Sequence, residues 1–97
     1  SITINKEMVH TCNFCKGCFS TPRLPVTFDF YLLCDLVGSL KDKYSYLFNE
    51  QDFIDIMNNG SKHGDRDIFC SNECMVKKFM NLDQKKKLML IREPTKL

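Results

Sequence analysis

The 97-residue sequence lacks any long hydrophobic run. No stretch approaches the roughly 18–20 apolar residues that cross a bilayer, and no basic stretch followed by an apolar core resembles a secretory signal. Internal repeats and low-complexity segments are also missing. We therefore expect no membrane partner and an intracellular, reducing location.

A hydrophobic content of 43%, with eight phenylalanines, indicates one folded domain with its own core.

The sequence also lacks a recognisable set of catalytic residues. It has only two histidines, no phosphate-cradling glycine loop and no Ser/His/Asp arrangement. The loop Lys62-His63-Gly64-Asp65 invites comparison with metal-dependent nucleases. Such nucleases usually need a second His or Asn set on the following helix, where this chain offers only Asn72 and Asn81. We therefore expect that the protein is not an enzyme.

A strong excess of charge of one sign is missing as well, since the net charge is only +2. The charge is unevenly distributed. Residues 77–97 carry seven basic and two acidic side chains, whereas residues 1–76 carry seven basic and ten acidic ones. The C-terminal segment is therefore the part suited to a polyanion. The candidate nucleic-acid contacts are Lys77, Lys78, Lys85, Lys86 and Lys87. A solvated helix face is the alternative interpretation of these lysines.

What the sequence does contain is two close cysteine pairs, Cys12-Asn13-Phe14-Cys15 and Cys70-Ser71-Asn72-Glu73-Cys74. Structural zinc prefers four soft or nitrogen ligands in a tetrahedron, and two such pairs supply them. A CxxC wraps the metal as a tight turn, and a CxxxC fits the start of a helix, where residues four apart share a face. The predicted ligands of one structural Zn2+ are Cys12, Cys15, Cys70 and Cys74. Phe14 and Phe19 either pack over the metal or form a peptide-binding patch.

Other uses of the six cysteines remain open. Three disulfides of a secreted domain would use them all, although no cysteine lies between Cys34 and Cys70 and secreted frameworks usually spread theirs. Cys18 extends the first pair to CxxCxxC, as an alternative ligand or as a free thiol beside the site. His10, two residues before the first pair, is another alternative ligand. Cys34 lies in an apolar stripe, where we expect it to pack in the core.

The N-terminal third reads as extended chain. Residues 1–11 offer Ile2, Ile4 and Val9 for strand pairing, and Gly17 permits the turn of the cysteine knuckle. Two prolines in residues 20–25 exclude a helix interior there.

Two helices are predicted in the middle of the chain. The first begins after Asp29 as N-cap, with an inward stripe that contains Phe30, Leu33, Leu36, Val37 and Leu40. A strand over residues 26–33 is the alternative. The second helix covers residues 49–59, with Asn49 as its cap and Gly60 as a left-handed C-terminal residue. Residues 58–65 are predicted to form a polar loop.

A short strand over residues 66–69 should lead into a long C-terminal helix over residues 72–91, capped by Ser71. Met75, Phe79 and Leu82 form its apolar stripe, and Pro94 lies beyond its end. Because a helix N-terminus favours negative charge, we expect it to stabilise the thiolates of the second cysteine pair.

The motif formed by Phe69-Cys70-Ser71 and Cys74, preceded by a CxxC, resembles that of FCS-type zinc fingers. The stretch Ile91-Arg92-Glu93-Pro94 follows Cys74 at a distance similar to that in the late transcription factor 2 family of poxviruses and related large DNA viruses. With this stretch included, the chain resembles that family. The resemblance covers about 40 residues at the two ends of the chain. It implies a treble-clef finger with the four cysteines as ligands, and no finer residue role.

These observations predict an α+β, mostly helical fold in one zinc-binding domain. Its parts are a knuckle (12–18), a largely helical insertion (19–65), the strand-helix half of the finger (66–91) and a tail (92–97). The resemblance implies a viral late-gene transcription factor that binds nucleic acid or transcription machinery, in the host cytoplasm or virus factory. The alternative is a zinc-stabilised interaction module that docks on a host regulatory protein or a polymerase factor without touching nucleic acid.

Overall fold

A computed structural model describes residues 9–20, 25–63 and 66–91 of the chain. Within these ranges the protein forms four helices and two small antiparallel sheets, which confirms the predicted α+β, mostly helical class. The strands are β1 (Val9–Thr11), β2 (Cys18–Ser20), β3 (Val26–Thr27) and β4 (Ile68–Phe69), and the helices are α1 (Phe30–Tyr44), α2 (Glu50–Ser61), α3 (Asn72–Lys78) and α4 (Leu82–Met89). None of the described helices has the length and apolar character needed to cross a bilayer.

The two sheets hold the ends of the predicted insertion together. Strand β1 pairs with β2 around the first cysteine pair, with His10 opposite Phe19. Strand β3 pairs with β4, with Val26 opposite Phe69. Because β3 precedes α1 and β4 follows α2, this ribbon closes the segment that contains the two helices and leads into Cys70. Ile2 and Ile4, which were expected to pair, lie outside the described residues, as do Pro94 and the 92–97 tail.

Helix α1 confirms the predicted start. Asp29 is the N-cap, and its carboxylate accepts hydrogen bonds from the backbone N–H groups of Tyr31 and Leu32. The strand alternative for residues 26–33 is wrong beyond Thr27, because the cap stops extended chain at Asp29. The buried face of α1 consists of Leu33, Leu36, Val37 and Leu40, while Phe30 is exposed rather than inward-facing.

Helix α2 begins as predicted, with Asn49 and Asp52 in a reciprocal capping box. It runs on to Ser61, so the loop expected over residues 58–65 begins later. Gly60 is not a left-handed cap, since no described glycine has a positive φ. Instead it is buried inside the helix, where an added Cβ would clash with Leu33. Gly60 is therefore required for the close approach of α2 to α1.

The predicted C-terminal helix is two helices. Helix α3 ends at Lys78, and after a short break Asn81 caps α4 in a second reciprocal capping box with Gln84. The break turns Leu82 out of the expected apolar stripe, so that it is 66% exposed, whereas Met75 and Phe79 are buried. The Asn-x-x-Gln spacing was the sequence signal for this boundary.

One continuous hydrophobic core joins α1 and α2 to the elements that carry the cysteines. It contains Leu33 and Ile56 from the two inserted helices, Phe69 from β4 and Met75 from α3. Cys12 is also part of it and is completely buried. The side-chain amide of Asn59 donates to the backbone carbonyl of Phe79, at 2.9 Å, and so links α2 to the end of α3. The insertion therefore packs directly on the elements that carry the cysteines.

Candidate metal centre

The first cysteine pair lies in the tight turn between β1 and β2. The backbone N–H of Cys12 donates to the carbonyl of Gly17 at 2.9 Å, and that of Lys16 donates to the carbonyl of Cys12 at 3.0 Å. The reversal is made at Lys16, which has a φ of 64°. Gly17, which was expected to permit the turn, takes part in it through its carbonyl but has no positive φ, so the left-handed residue of the knuckle is Lys16.

The knuckle is attached directly to the strand that precedes the second pair. The backbone N–H of Asn13 donates to the carbonyl of Ile68 at 2.7 Å. This bond joins residues 55 positions apart, so nothing in the local sequence indicated it. It places Cys12 and Cys15 next to the point where β4 delivers Cys70.

The second pair is arranged by the predicted cap. The Ser71 hydroxyl accepts a hydrogen bond from the backbone N–H of Cys74 at 3.2 Å, which starts α3. Cys70 therefore lies just before the cap and Cys74 in the first turn. Their sulfur atoms are 3.6 Å apart.

The four predicted ligands come together. The Sγ atoms of Cys12, Cys15, Cys70 and Cys74 all lie within 4.8 Å of one another, and that of Cys15 is 3.8 Å from that of Cys70. The burial is graded, because Cys12 is fully buried, Cys70 and Cys74 are half-buried and Cys15 is exposed. Four sulfur donors at this spacing could hold a metal ion, with one edge of the site open to solvent.

The protonation of the cluster is asymmetric. Burial raises the pKa of Cys12, but hydrogen bonds from the backbone N–H groups of Cys15, Cys70 and Phe14 outweigh it and lower that pKa to about 6. Burial raises the pKa of Cys74 to about 12, and the neighbouring Cys70 and Cys12 reinforce the shift against the hydroxyl of Ser71.

The pKa of Cys70 is raised as well, by burial and by the proximity of Cys12 and Cys15. Without a metal ion, the cluster therefore favours its negative charge on Cys12. In the metal-free cluster, burial and the proximity of Cys12 raise the pKa values of Cys70 and Cys74 and outweigh any stabilisation of their thiolates by the start of α3.

The remaining candidate ligands do not join the cluster. Cys18 is exposed on β2, where its sulfur lies 4.0 Å from the Thr11 hydroxyl. His10 instead packs against Phe19 with the two rings tilted and their centroids 5.2 Å apart. Cys34 is half-buried and lines an open groove between α1 and α2, so it is not a core residue. All six cysteines fall within the described ranges and are free, so the structure does not contain the three-disulfide framework.

The aromatic residues of the knuckle pack against the core. Phe14 and Phe19 are half-buried and contact the core cluster. The ammonium group of Lys85 lies over the Phe14 ring, 5.1 Å from its centroid. This contact brings α4 to the knuckle, and sequence reasoning missed it because the two residues are distant in the chain.

Three of the five candidate lysines have partners within the molecule. Lys77 pairs with Glu73 at 2.7 Å, Lys85 covers Phe14, and Lys87 pairs with Asp52 at 3.0 Å. Lys78 and Lys86 are exposed and have no ion pair with any residue that the structure describes. Two of the five therefore remain available to an external anion.

His63 has a structural environment. Its ring lies edge-on to Phe28 and Phe79, with centroids 4.9 and 5.1 Å away. Its Nε2 is 2.8 Å from a carboxylate oxygen of Asp67, although without hydrogen-bond geometry. Gly64 and Asp65 of the loop compared with nucleases lie outside the described residues.

No family model matches the chain, and searches of curated proteins and of solved structures find no match either.

Proposed function

We propose that the protein is a structural zinc finger in which the four clustered cysteines hold one Zn2+. The observation that carries the proposal is the spacing of the sulfur atoms. A tetrahedral site with Zn–S bonds of about 2.3 Å has sulfur atoms roughly 3.8 Å apart. The Cys15–Cys70 and Cys70–Cys74 separations are 3.8 and 3.6 Å. Four thiolates fill the tetrahedron and leave no place for a reactive water, so the proposed role of zinc is structural and not catalytic.

The finger is treble-clef-like in this proposal. The first cysteine pair lies in the turn of the β1–β2 hairpin, and the second pair lies at the start of α3. This order supports the resemblance to FCS-type fingers. Zinc would then crosslink the two halves of the chain, and in zinc-finger peptides such binding supplies about 10–16 kcal/mol of apparent free energy that acts as folding free energy.

The proposed activity is to bind a protein of the transcription machinery. The resemblance to the late transcription factor 2 family supports a role in transcription. If the protein is viral, that role is the transcription of late genes. Lys77, Lys85 and Lys87 are engaged within the molecule. Their engagement favours a protein partner over an extended polyanion, which binds through many free lysines.

Nucleic-acid contact is the second candidate, and the exposure of Lys78 and Lys86 favours it. An electrophoretic mobility shift assay with duplex DNA tests it. The Lys78→Glu/Lys86→Glu variant should abolish any shift, and wild-type binding should weaken steeply with salt. The matched control is Lys43→Glu/Lys62→Glu, which reverses two exposed lysines on other elements that have no ion pair with any described residue. A shift that survives both high salt and the Lys78/Lys86 reversal would exclude these lysines as the contact.

Elemental mass spectrometry of the purified protein tests the zinc site. We expect one zinc per chain. The Cys70→Ser and Cys74→Ser variants should lose the metal and much of their helical circular dichroism, because the finger and the core are continuous. Cys34→Ser is the control, since this thiol is half-buried but outside the cluster. Wild-type protein without stoichiometric metal, or full zinc content in Cys70→Ser, would contradict the proposal.

A further inference from the structure

Helix α4 places a polar side chain toward the core and several apolar side chains toward solvent. Its inner face carries a polar side chain, Gln84, which is 1% exposed and lies on the same side as Leu88. Its outer face carries Leu82, Met89 and Leu90, which are 66%, 73% and 68% exposed. Polar positions of a surface helix ordinarily face solvent and apolar ones the core. Exposed apolar side chains that are grouped on one face mark an interaction site.

These side chains form one ridge. At about 100° per residue, Leu82 and Met89, seven positions apart, point the same way, and Lys86 lies between them. Leu90 continues the helical backbone, with a φ of −76° and a ψ of −13°, and lies beside Lys86. We call Leu82, Lys86, Met89 and Leu90 the α4 ridge. Its spacing corresponds to successive d, a and d positions of a coiled coil, with lysine at a.

Lys86 determines which partner fits the ridge. Its neighbours Lys85 and Lys87 are engaged with Phe14 and Asp52, whereas Lys86 makes no ion pair within the part of the chain that the structure describes. Asp83 is also exposed and lies three residues before Lys86, at the edge of the ridge, but the structure shows no ion pair between them. The centre of the apolar surface is therefore positively charged.

A second copy of the chain fits this surface poorly. In the antiparallel register that places Leu82 of one copy against Leu90 of the other, the two Lys86 side chains would face each other. Like charges at that position are repulsive. A helix with apolar side chains at the same spacing and a carboxylate between them provides the missing complement.

We propose that the α4 ridge docks an acidic amphipathic helix of a partner protein, with a Glu or Asp opposite Lys86. The inference rests on the proposed function, because it names the chemistry of the protein partner. The ridge is only about two turns long, so the contact is expected to be weak and to depend on its central ion pair.

The test uses the zinc-loaded 97-residue protein and two designed three-heptad helical peptides with leucine at a and d. They differ at one central a position, which is Glu in the first peptide and Lys in the second. By fluorescence anisotropy, the wild-type protein should bind the Glu peptide at least tenfold more tightly than the Lys peptide. Lys86→Glu should reverse the preference, and Leu82→Asp/Met89→Asp should lose binding to both. Tyr46→Asp, which alters an exposed aromatic away from α4, is the control.

Zinc content and thermal unfolding are measured on the same samples. Equal affinity for the two peptides, no binding by folded zinc-loaded wild-type protein, or concentration-dependent self-association that Leu82→Asp/Met89→Asp abolishes would overturn the inference and leave the zinc finger standing. Failure to hold zinc would instead contradict the proposed function. Reversal of the preference by Lys86→Glu is the result that supports the acidic partner.

Discussion

Gln84, in the capping box of α4, is hydrogen-bonded to Asp52, in the capping box of α2, and so connects the N-termini of the two helices. Its side-chain N–H group donates to the backbone carbonyl of Asp52 at 3.0 Å and to its carboxylate at 3.3 Å. Asp52 belongs to the capping box of α2, and Gln84 belongs to that of α4. The carboxylate also pairs with Lys87 at 3.0 Å. A polar side chain is therefore buried on α4 because every group it offers is satisfied.

We predict that Gln84→Ala destabilises the protein by about 1–3 kcal/mol, since it removes a capping bond of α4 and both hydrogen bonds from the side chain to Asp52. Urea denaturation of the zinc-loaded protein measures this. The control is Gln51→Ala, because Gln51 donates to Asp55 in an exposed pair on α2. If the two variants lose the same free energy of unfolding, the hydrogen bonds between the two capping boxes stabilise the protein no more than an exposed side-chain pair does.

Gly60 and Gly38 should respond in opposite directions to alanine. Both lie within helices, where alanine is normally better by roughly 1 kcal/mol. A Cβ at Gly60 clashes with Leu33, whereas nothing lies within 4 Å of a Cβ at Gly38. We expect Gly60→Ala to lose about 1–3 kcal/mol through overpacking and Gly38→Ala to gain up to about 1 kcal/mol. Thermal unfolding of both variants checks this, and a stabilised Gly60→Ala would show that α1 and α2 separate easily.

The knuckle offers a second contrast. Lys16 has a left-handed backbone conformation, which disfavours a side chain by roughly 1–2 kcal/mol. Part of this is offset by the greater freedom of glycine in the unfolded chain, so Lys16→Gly should stabilise by up to about 1 kcal/mol. Gly17→Ala should change little, because its Cβ would meet Cys15 Sγ at an ordinary 3.5 Å. A larger loss in Gly17→Ala than in Lys16→Gly would place the turn at Gly17 after all. Melting temperatures at fixed zinc concentration report both changes.

Zinc binding should release protons, and the affinity for zinc should therefore decrease as the pH is lowered. At pH 7 the Cys70 and Cys74 thiols, whose pKa values are raised, hold their protons, while Cys12, with a pKa of about 6, is mostly ionised. Because ligands bind as thiolates, we expect at least two protons to leave at pH 7. Below pH 6 Cys12 adds another, and the affinity falls more steeply.

Isothermal titration in buffers of different ionisation enthalpy counts these protons. The Cys34→Ser variant should release the same number as the wild type. Binding without proton release at pH 7 would mean that the cluster is already fully ionised.

The sequence by itself determined the two cysteine pairs and the starts of α1, α2 and α3, because these depend on residues close together in the chain. Cys12 and Cys15, and Cys70 and Cys74, stand at spacings that a turn and a first helical turn require, and Asp29, Asn49 and Ser71 cap their helices through bonds within three residues. The tertiary structure decided the rest. Asn13 bonds to Ile68, Gly60 packs on Leu33 and Lys85 covers Phe14 across long separations. It also decided which thiol ionises and which lysines remain free, since burial and ion pairing depend on partners that no local pattern specifies.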